Sequence, residues 1–183
     1  MQRIPRSLLQ LFSLMVLLGI LGLLQTASAQ DEIVDKRRAI NARYRESLDL
    51  IPGIRLVAQP ADTVRYNYAY MPVEVDEEEF GRTRDQLYLK LREYNVFARR
   101  YFYPLVPDYA CYRGLVATGN LAVARRAASR ILTVPIYSDL ALDDVDRICD
   151  IVEHIESEAS QESAAANQRL HTDSELALRV TQS

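Results

Sequence analysis

Between residues 31 and 156 the chain alternates apolar stripes of helical spacing with short runs of strand character. The helical segments carry apolar residues three, four or seven positions apart, which places them on one face of a helix. The strand-like runs are only a few residues long, and proline, glycine or aspartate residues bound them. Their order is helix, strand, strand, helix, strand, helix, strand, helix. Interleaving at this length predicts an α+β domain, with helices packed on one face of a small, mainly antiparallel sheet.

A long helix is predicted at the start of this region, from Asp31 to the Pro52-Gly53 turn. Its apolar stripe consists of Ile33, Ile40, Tyr44 and Leu48. A short strand is predicted next, and then a longer one over residues 66–75, where period two places three tyrosines on one face. Because proline lacks a backbone donor, Pro72 predicts that this strand lies at a sheet edge or contains a bulge.

The second half of the domain is predicted to hold three more helices and two strands. Asp76 and Glu79 fit an aspartate variant of the capping box, so a helix begins there. Its stripe consists of Phe80, Leu87, Leu91 and Tyr94. Strands follow at residues 95–102 and 131–137, separated by a short helix that Asn120 caps. The stripe of the last helix consists of Val145, Ile148, Val152 and Ile155. The polar composition of residues 157–183 predicts a mobile tail.

The first 30 residues differ from the rest, because they include basic residues but no acidic ones. An apolar run from Leu8 to Leu24 precedes Ala27-Ser28-Ala29. This is the form of a secretory signal peptide cleaved after Ala29, and the run is slightly short for a membrane-spanning helix. The alternative is a buried or interfacial helix separated from its partner. We expect membrane attachment only if residues 8–24 are retained as an anchor.

Charge and composition exclude several classes of function. The net charge of −3 lacks the basic surplus that nucleic-acid binding requires. Neither the two cysteines nor the two histidines have zinc-ligand spacing, so we expect no metal site. One disulfide between Cys111 and Cys149 is possible, but the position of Cys149 on an apolar stripe favours a free, buried thiol. The chain also contains no nucleophile elbow and no phosphate-binding glycine loop.

The densest candidate site is the segment Arg99-Arg100-Tyr101-Phe102-Tyr103-Pro104. Nine of the eleven tyrosines lie between Tyr66 and Tyr112. Arginine binds phosphate or carboxylate oxygens in a bidentate manner, and tyrosine rings stack on planar ligands. The combination suits a nucleotide-linked sugar. The pattern alone favours a structural interpretation, in which Phe102 packs in the core, one arginine pairs with the acidic run 76–79 and the tyrosines cover the sheet.

Several segments together resemble a known family. They are Tyr66-Asn67-Tyr68-Ala69-Tyr70-Met71-Pro72-Val73, Arg84-Asp85-Gln86-Leu87, Arg99-Arg100-Tyr101-Phe102-Tyr103-Pro104 and Leu132-Thr133-Val134-Pro135-Ile136-Tyr137. In this order they resemble the C-terminal small domain of the DegT/DnrJ/StrS family of sugar aminotransferases, which depend on pyridoxal phosphate (PLP). The third segment is most similar to the branch that aminates 4-keto-6-deoxy sugars linked to dTDP. The resemblance covers roughly residues 31–156.

The resemblance implies the small domain of an aspartate-aminotransferase-like fold. It also implies a large domain, missing here, that carries the Schiff-base lysine and most contacts to PLP. Lys36 and Lys90 both lie on amphipathic helices, without the desolvated pocket that such a lysine needs. We therefore expect a fragment of a sugar-nucleotide aminotransferase that neither binds PLP nor catalyses transamination alone. Its expected partners are a nucleotide-linked sugar and either the missing large domain or a homo-oligomer partner.

Arg99, Arg100, Tyr101 and Tyr103 are the substrate-binding residues that the resemblance implies, and it leaves open which arginine faces the cleft. No catalytic, cofactor-binding or metal-binding residue is expected in this chain. Residues 21–25 also resemble the end of the family's interface helix, so the chain is either an exported small domain behind a signal peptide or a truncated gene product. The family's cytosolic substrates favour the second origin and a cytoplasmic location. A competing interpretation is an exported or membrane-tethered, non-enzymatic α/β binding module.

Overall fold

The computed structural model describes residues 30–59, 64–112 and 119–181, together with Met15 and Leu115, and describes side chains as far as residue 170. The elements are α1 (residues 30–48), β1 (Ile54–Leu56), β2 (Met71–Val75), α2 (Glu77–Phe80), α3 (Arg84–Glu93), β3 (Arg99–Arg100), a 3-10 turn (Val106–Asp108), α4 (Ala122–Arg130), β4 (Ile131–Val134) and α5 (Leu142–Thr181).

The four strands form one antiparallel sheet in the order β1-β2-β4-β3, which confirms the predicted α+β fold class. The prediction that Pro72 marks an edge strand or a bulge was wrong, because β2 lies between β1 and β4. Pro72 pairs with Thr133 of β4. Strand β1 ends at Leu56, opposite Val73, so Pro72 lies beyond the end of that ladder. Pro72 is therefore tolerated in a central strand, because the neighbouring strand β1 has already ended at this position.

Three predicted strands are shorter in the structure than in the sequence pattern, and one of them is the strand predicted at residues 131–137, which ends at Val134. Residues 65–70 are not a strand, since the Asn67 side chain accepts a hydrogen bond from the backbone N–H of Ala69 and Tyr68 has a φ of 49°. Of residues 95–102, only Arg99 and Arg100 form a strand. Local side-chain to backbone bonds and left-handed residues interrupt a sheet even where the apolar alternation continues.

The core lies between the sheet and the helices α1, α3 and α5. It contains the predicted stripe residues Ile40, Tyr44, Leu48, Leu87, Leu91, Val145, Ile148, Val152 and Ile155. The Tyr44 hydroxyl donates to the carbonyl of Pro135, so this buried aromatic ring keeps a hydrogen-bond partner. Ile33, which the pattern assigns to the same stripe, is 40% exposed. The core stripe of α1 therefore begins about two turns later than predicted.

The helix predicted to begin at Asp76 is two helices, α2 and α3, separated at Gly81. The Asp76 side chain accepts from the N–H of Glu78, and the chain then leaves the helix at Gly81, whose φ is 75°. A second helix starts at Thr83, which forms a reciprocal capping box with Gln86. Tyr94 caps the C-terminus of α3 and is 41% exposed, so it does not belong to the core stripe.

Helix α5 continues through the segment predicted to be a mobile tail and ends at Thr181. Ala159 is 2% exposed and lies in contact distance of the position that a side chain on Gly81 would take. Glu162 pairs with Arg82 at 3.1 Å. The mobile-tail prediction therefore fails for these turns. Alanine, glutamate and glutamine favour a helix, and a helix that already packs on the core can propagate through them.

The signal-like segment, residues 1–30, lies outside the described residues except for Met15 and Gln30. Within the described ranges, no helix is both long and apolar enough to cross a membrane.

Candidate functional site

Arg99 and Arg100 form the short edge strand β3, where Arg99 pairs with Thr133 and Arg100 with Leu132. The Thr133 hydroxyl also donates to the carbonyl of Arg99, which anchors the strand. Successive strand residues point to opposite faces of a sheet. The two guanidinium groups consequently line two different cavities.

The Arg100 side chain is held by helix α3. Its Nη1 atom lies 3.4 Å from Asp85 Oδ1, and its guanidinium lies over the rings of Tyr88 and Tyr103 at 4.8 and 4.7 Å. The pairing of one of these arginines with the acidic run 76–79, expected under the structural interpretation, is wrong for Arg100. Asp76 of that run instead pairs with Arg55 at 2.7 Å.

The first cavity, here called the loop cavity, has a volume of about 510 Å³. Its lining consists of residues 100–106, Tyr109, Ala124, Ala127, Ala128 and Ile131. Tyr101 and Tyr103 therefore line the same cavity as Arg100. Asp108 and Arg125 form a bidentate ion pair at 3.0 and 3.1 Å, which fastens the loop to α4. Phe102 is 71% exposed with a φ of 50°, so its expected packing in the core was also wrong.

The second cavity, here called the aromatic cleft, has a volume of about 650 Å³ and contains Arg99. Its aromatic lining consists of Tyr70, Tyr94, Phe97 and Tyr137. The Arg99 side chain is exposed and makes no hydrogen bond or ion pair with any described residue. At the rim, Arg147 is neutralised by Asp144 at 2.9 Å. Arg99 is therefore the available cation in this cleft.

An aromatic pair connects the two cavities. Tyr70 of the aromatic cleft and Tyr101 of the loop cavity have ring centroids 5.4 Å apart. Of the four predicted site residues, Arg100, Tyr101 and Tyr103 line the loop cavity together. Arg99 lies in the aromatic cleft, on the other side of the Tyr70–Tyr101 pair.

Arg84 is a residue of this region that the sequence reasoning missed. It is 2% exposed, and its Nη1 donates to the carbonyl of Ile131 at 2.8 Å. Its Nε lies 2.9 Å from Asp85 Oδ1, and its guanidinium lies 5.0 Å from the ring centre of Tyr103. Burial lowers the pKa of Arg84. Its spacing of three residues from Leu87 was the available signal, since that spacing places it on the buried face of α3.

The lysines of this chain do not fit a Schiff base with PLP. Lys36 and Lys90 are the only lysines in the sequence. Glu32 lies 2.8 Å from Lys36 Nζ and raises the pKa of that ammonium, which is 51% exposed. Lys90 lies 3.4 Å from Glu93 and 3.8 Å from Glu158. Both amines lie beside carboxylates and remain accessible to solvent, the opposite of the desolvated state that a Schiff-base lysine needs. Among the described residues, no cluster of His, Cys, Asp and Glu could hold a metal ion.

Comparison with known proteins assigns the chain at the level of the family. The model of the DegT/DnrJ/EryC1/StrS aminotransferase family matches residues 19–153. The dTDP-4-amino-4,6-dideoxy-D-glucose transaminase of Escherichia coli is 36% identical over 133 residues, which are 72% of this chain and 35% of that enzyme. The spore coat polysaccharide biosynthesis protein SpsC of Bacillus subtilis is 27% identical over 154 residues, or 82% of this chain and 38% of that protein.

Solved structures show the same relationship. DesI, crystallised in the presence of its TDP-sugar product, superposes with a TM-score of 0.64 at 29% identity, covering 79% of this chain and 36% of DesI. The aminotransferase TlmJ of Streptoalloteichus hindustanus gives a TM-score of 0.62 at 25% identity, covering 71% of this chain and 33% of TlmJ. The chain spans about a third of the length of the relatives that it matches. By its family match and its fold, the chain belongs to the DegT/DnrJ/EryC1/StrS aminotransferase family.

Proposed function

We propose that residues 31–156 serve as the small domain of a sugar-nucleotide aminotransferase, and that this chain does not catalyse transamination alone. The lysines support the second half of the proposal, because both are ion-paired surface cations. The PLP of the family would be held by a large domain that lies outside residues 31–156, and a homo-oligomer partner is the other proposed contact of this domain. Nucleotide-sugar chemistry is cytosolic in the parent family, so the proposed site of action is the cytoplasm.

The proposed substrate is a 4-keto-6-deoxy sugar linked to dTDP. Two comparisons support this class. The E. coli relative is named for a dTDP-linked 4-amino-4,6-dideoxy sugar, and DesI was crystallised with a TDP-sugar product. The small domain would contribute binding and orientation, while the large domain supplies the reacting groups.

The observation that carries the proposal is the guanidinium of Arg99 in the aromatic cleft, which pairs with no described residue. Arg99 would give up no ion pair with a described residue on binding a diphosphate, whereas Arg100 already contacts Asp85 together with Arg84. The rings of Tyr70, Tyr94 and Tyr137 offer stacking surfaces for a planar base. Arg99 is therefore the arginine that we assign to the diphosphate. Tyr101 would support this cleft through its contact with Tyr70.

Titration calorimetry with dTDP tests this assignment directly. Arg99→Gln is expected to weaken binding roughly 10- to 100-fold, the range of a lost hydrogen bond to a charged group. Arg126→Gln is the matched control, because Arg126 is an exposed arginine of α4 outside both cavities. Equal dTDP affinities for the parent chain and Arg99→Gln would contradict the assignment.

A further inference from the structure

We propose that the loop cavity ends in a phosphate subsite, formed by Arg84 and Arg100 beneath the ring of Tyr103, which accepts a small phosphate monoester with an apolar or planar body. This subsite is distinct from the aromatic cleft and does not depend on the sugar-nucleotide assignment. Three independent features of the structure support it.

The local charge is the first feature. Arg84 Nε and Arg100 Nη1 approach the same oxygen, Asp85 Oδ1, at 2.9 and 3.4 Å. Two guanidinium groups thus share one carboxylate and leave an excess positive charge. Arg84 is also the first residue of the ten-residue helix α3, where the helix dipole disfavours a cation and favours an anion. A phosphate at this position would offset both effects.

The second feature is an unpartnered donor. The side chain of Arg84 is 1% exposed, and its Nη2 is buried without a hydrogen-bond partner in the described structure. Leaving a buried charged donor unpaired is costly, and such groups are rare in native proteins. The other two nitrogens of this guanidinium already face Ile131 and Asp85. Nη2 is therefore free to donate to a phosphate oxygen.

The third feature is a cover that can move. The Tyr103 ring lies 4.7 Å from the Arg100 guanidinium and 5.0 Å from that of Arg84, and of these three side chains Tyr103 and Arg100 line the loop cavity. Tyr103 is 48% exposed, and its hydroxyl makes no hydrogen bond with a described residue. Rotation of this side chain would exchange two cation–π contacts for two charge-assisted hydrogen bonds to phosphate.

The remainder of the loop cavity selects the body of the ligand. Its walls are mostly apolar and include Leu105, Val106, Ala124, Ala127, Ala128 and Ile131. Apart from Arg100, the polar side-chain groups among its other lining residues are the tyrosine hydroxyls, of Tyr101 and Tyr109 besides Tyr103. With about 510 Å³ available, the cavity has room for a ring beside the phosphate. A phosphate on an aromatic or aliphatic group therefore fits better than inorganic phosphate.

The test uses the full chain with phenyl phosphate, followed by calorimetry and by the arginine Nε–H signals in 15N spectra. Binding is expected in the parent chain, with a shift of the Arg84 Nε–H signal. Arg100→Gln is expected to weaken binding at least 10-fold, and Arg126→Gln is expected to leave it unchanged. Phenol, which lacks the phosphate, is expected to bind at least 10-fold more weakly.

Three outcomes would overturn the subsite. One is an unshifted Arg84 signal at saturating phenyl phosphate. Another is equal affinity in the parent chain and in Arg100→Gln, which would indicate adventitious ion binding only. The third is a loss of phenyl phosphate binding in Arg99→Gln rather than in Arg100→Gln, which would place the anion in the aromatic cleft. Because dTDP binding reports on Arg99 separately, failure of this inference and failure of the proposed function give different results.

Discussion

The two adjacent arginines differ in their ion pairs. Arg99 forms no ion pair with a described residue, whereas Arg100 shares the carboxylate of Asp85 with the buried Arg84. An anion entering the aromatic cleft therefore meets a cation that gives up no existing ion pair. An anion entering the loop cavity instead meets the excess positive charge of Arg84 and Arg100 beside the ring of Tyr103. Two consecutive residues of one sequence motif thus serve two surfaces.

Gly53 is a residue whose replacement the fold is expected not to tolerate. Its φ is 73°, and an added Cβ would lie 2.3 Å from the backbone nitrogen of Phe80. We expect Gly53→Ala to lower the free energy of unfolding by at least about 2 kcal/mol, through left-handed strain and overlap with backbone atoms. Gly119→Ala is the matched control, because nothing lies within 4 Å of its added Cβ. Denaturant melts in which both variants behave alike would refute this packing.

The two cysteines are expected to differ in reactivity and in their effect on stability with pH. Both are free thiols in the structure, Cys111 exposed and Cys149 buried, in agreement with the favoured sequence interpretation. Burial raises the pKa of Cys149 from 9.0 to about 11. Alkylation of the native chain at pH 8 is therefore expected to modify Cys111 first, and mass spectrometry of the peptides identifies the site.

The sign of the stability effect follows from the raised pKa of Cys149. The folded state retains the thiol proton of Cys149. The contribution of this buried thiol to the free energy of unfolding is therefore fully present below pH 9 and is lost as the pH rises through about 11. Between these values the parent chain should lose stability more steeply than Cys149→Ala. Urea melts at several pH values measure the free energy of unfolding of both proteins. If this free energy falls equally with pH in the parent chain and in Cys149→Ala, the thiol is not buried.

At the scale of elements, apolar stripes mark which helix faces are buried. Leu87 is 1% exposed on α3, and Leu89, two residues later, is 60% exposed. Leu87→Ala is expected to lower the free energy of unfolding by about 2–4 kcal/mol, and Leu89→Ala by less than about 0.5 kcal/mol. Chemical denaturation measures both. Similar losses in the two variants would show that the phase of α3 is wrong.

The buried face of each helix could be predicted from the sequence, because burial of one face requires apolar residues at helical spacing. Strand ends could not, since Tyr68 leaves the extended region through a local Asn67 turn that no apolar pattern records. For the candidate site, the sequence predicted which segment carries it but not which cavity each side chain lines. The cavity that each arginine lines depends on pairing with Thr133 and Leu132, which are more than thirty residues away. Arg84 was missed because charge was taken as a mark of exposure.

The C-terminal half of α5 is expected to contribute to stability only in its first turns. Truncation after residue 157 removes the contact of Ala159 with Gly81 and the partner of the largely buried Arg82, and should cost about 1–3 kcal/mol. Truncation after residue 170 retains both contacts and should cost less than about 0.5 kcal/mol. Thermal melts of the two truncated chains separate these cases. Equal stability of the two would mean that α5 is not packed beyond Glu156.

At the scale of the whole molecule, the surroundings of the two lysines bear on whether this chain binds PLP covalently. Lys36 and Lys90 are both ion-paired, so the isolated chain is expected to form no specific imine with PLP. Borohydride reduction followed by peptide mass spectrometry checks this. A stoichiometric adduct at Lys36 or Lys90, lost when that lysine is changed to arginine, would show that the chain has a PLP site of its own.

We propose that this small domain binds substrate while a large domain supplies the reacting groups, and a domain exchange measures this division of labour. Residues 19–153 would replace the matching segment of the E. coli dTDP-4-amino-4,6-dideoxy-D-glucose transaminase, which retains its own large domain. We expect a chimera that takes up PLP and aminates the dTDP-linked keto sugar, with a rate lowered roughly 10-fold or more by Arg99→Gln. A folded, PLP-loaded chimera without amination would show that residues 19–153 do not serve as the small domain of such an enzyme.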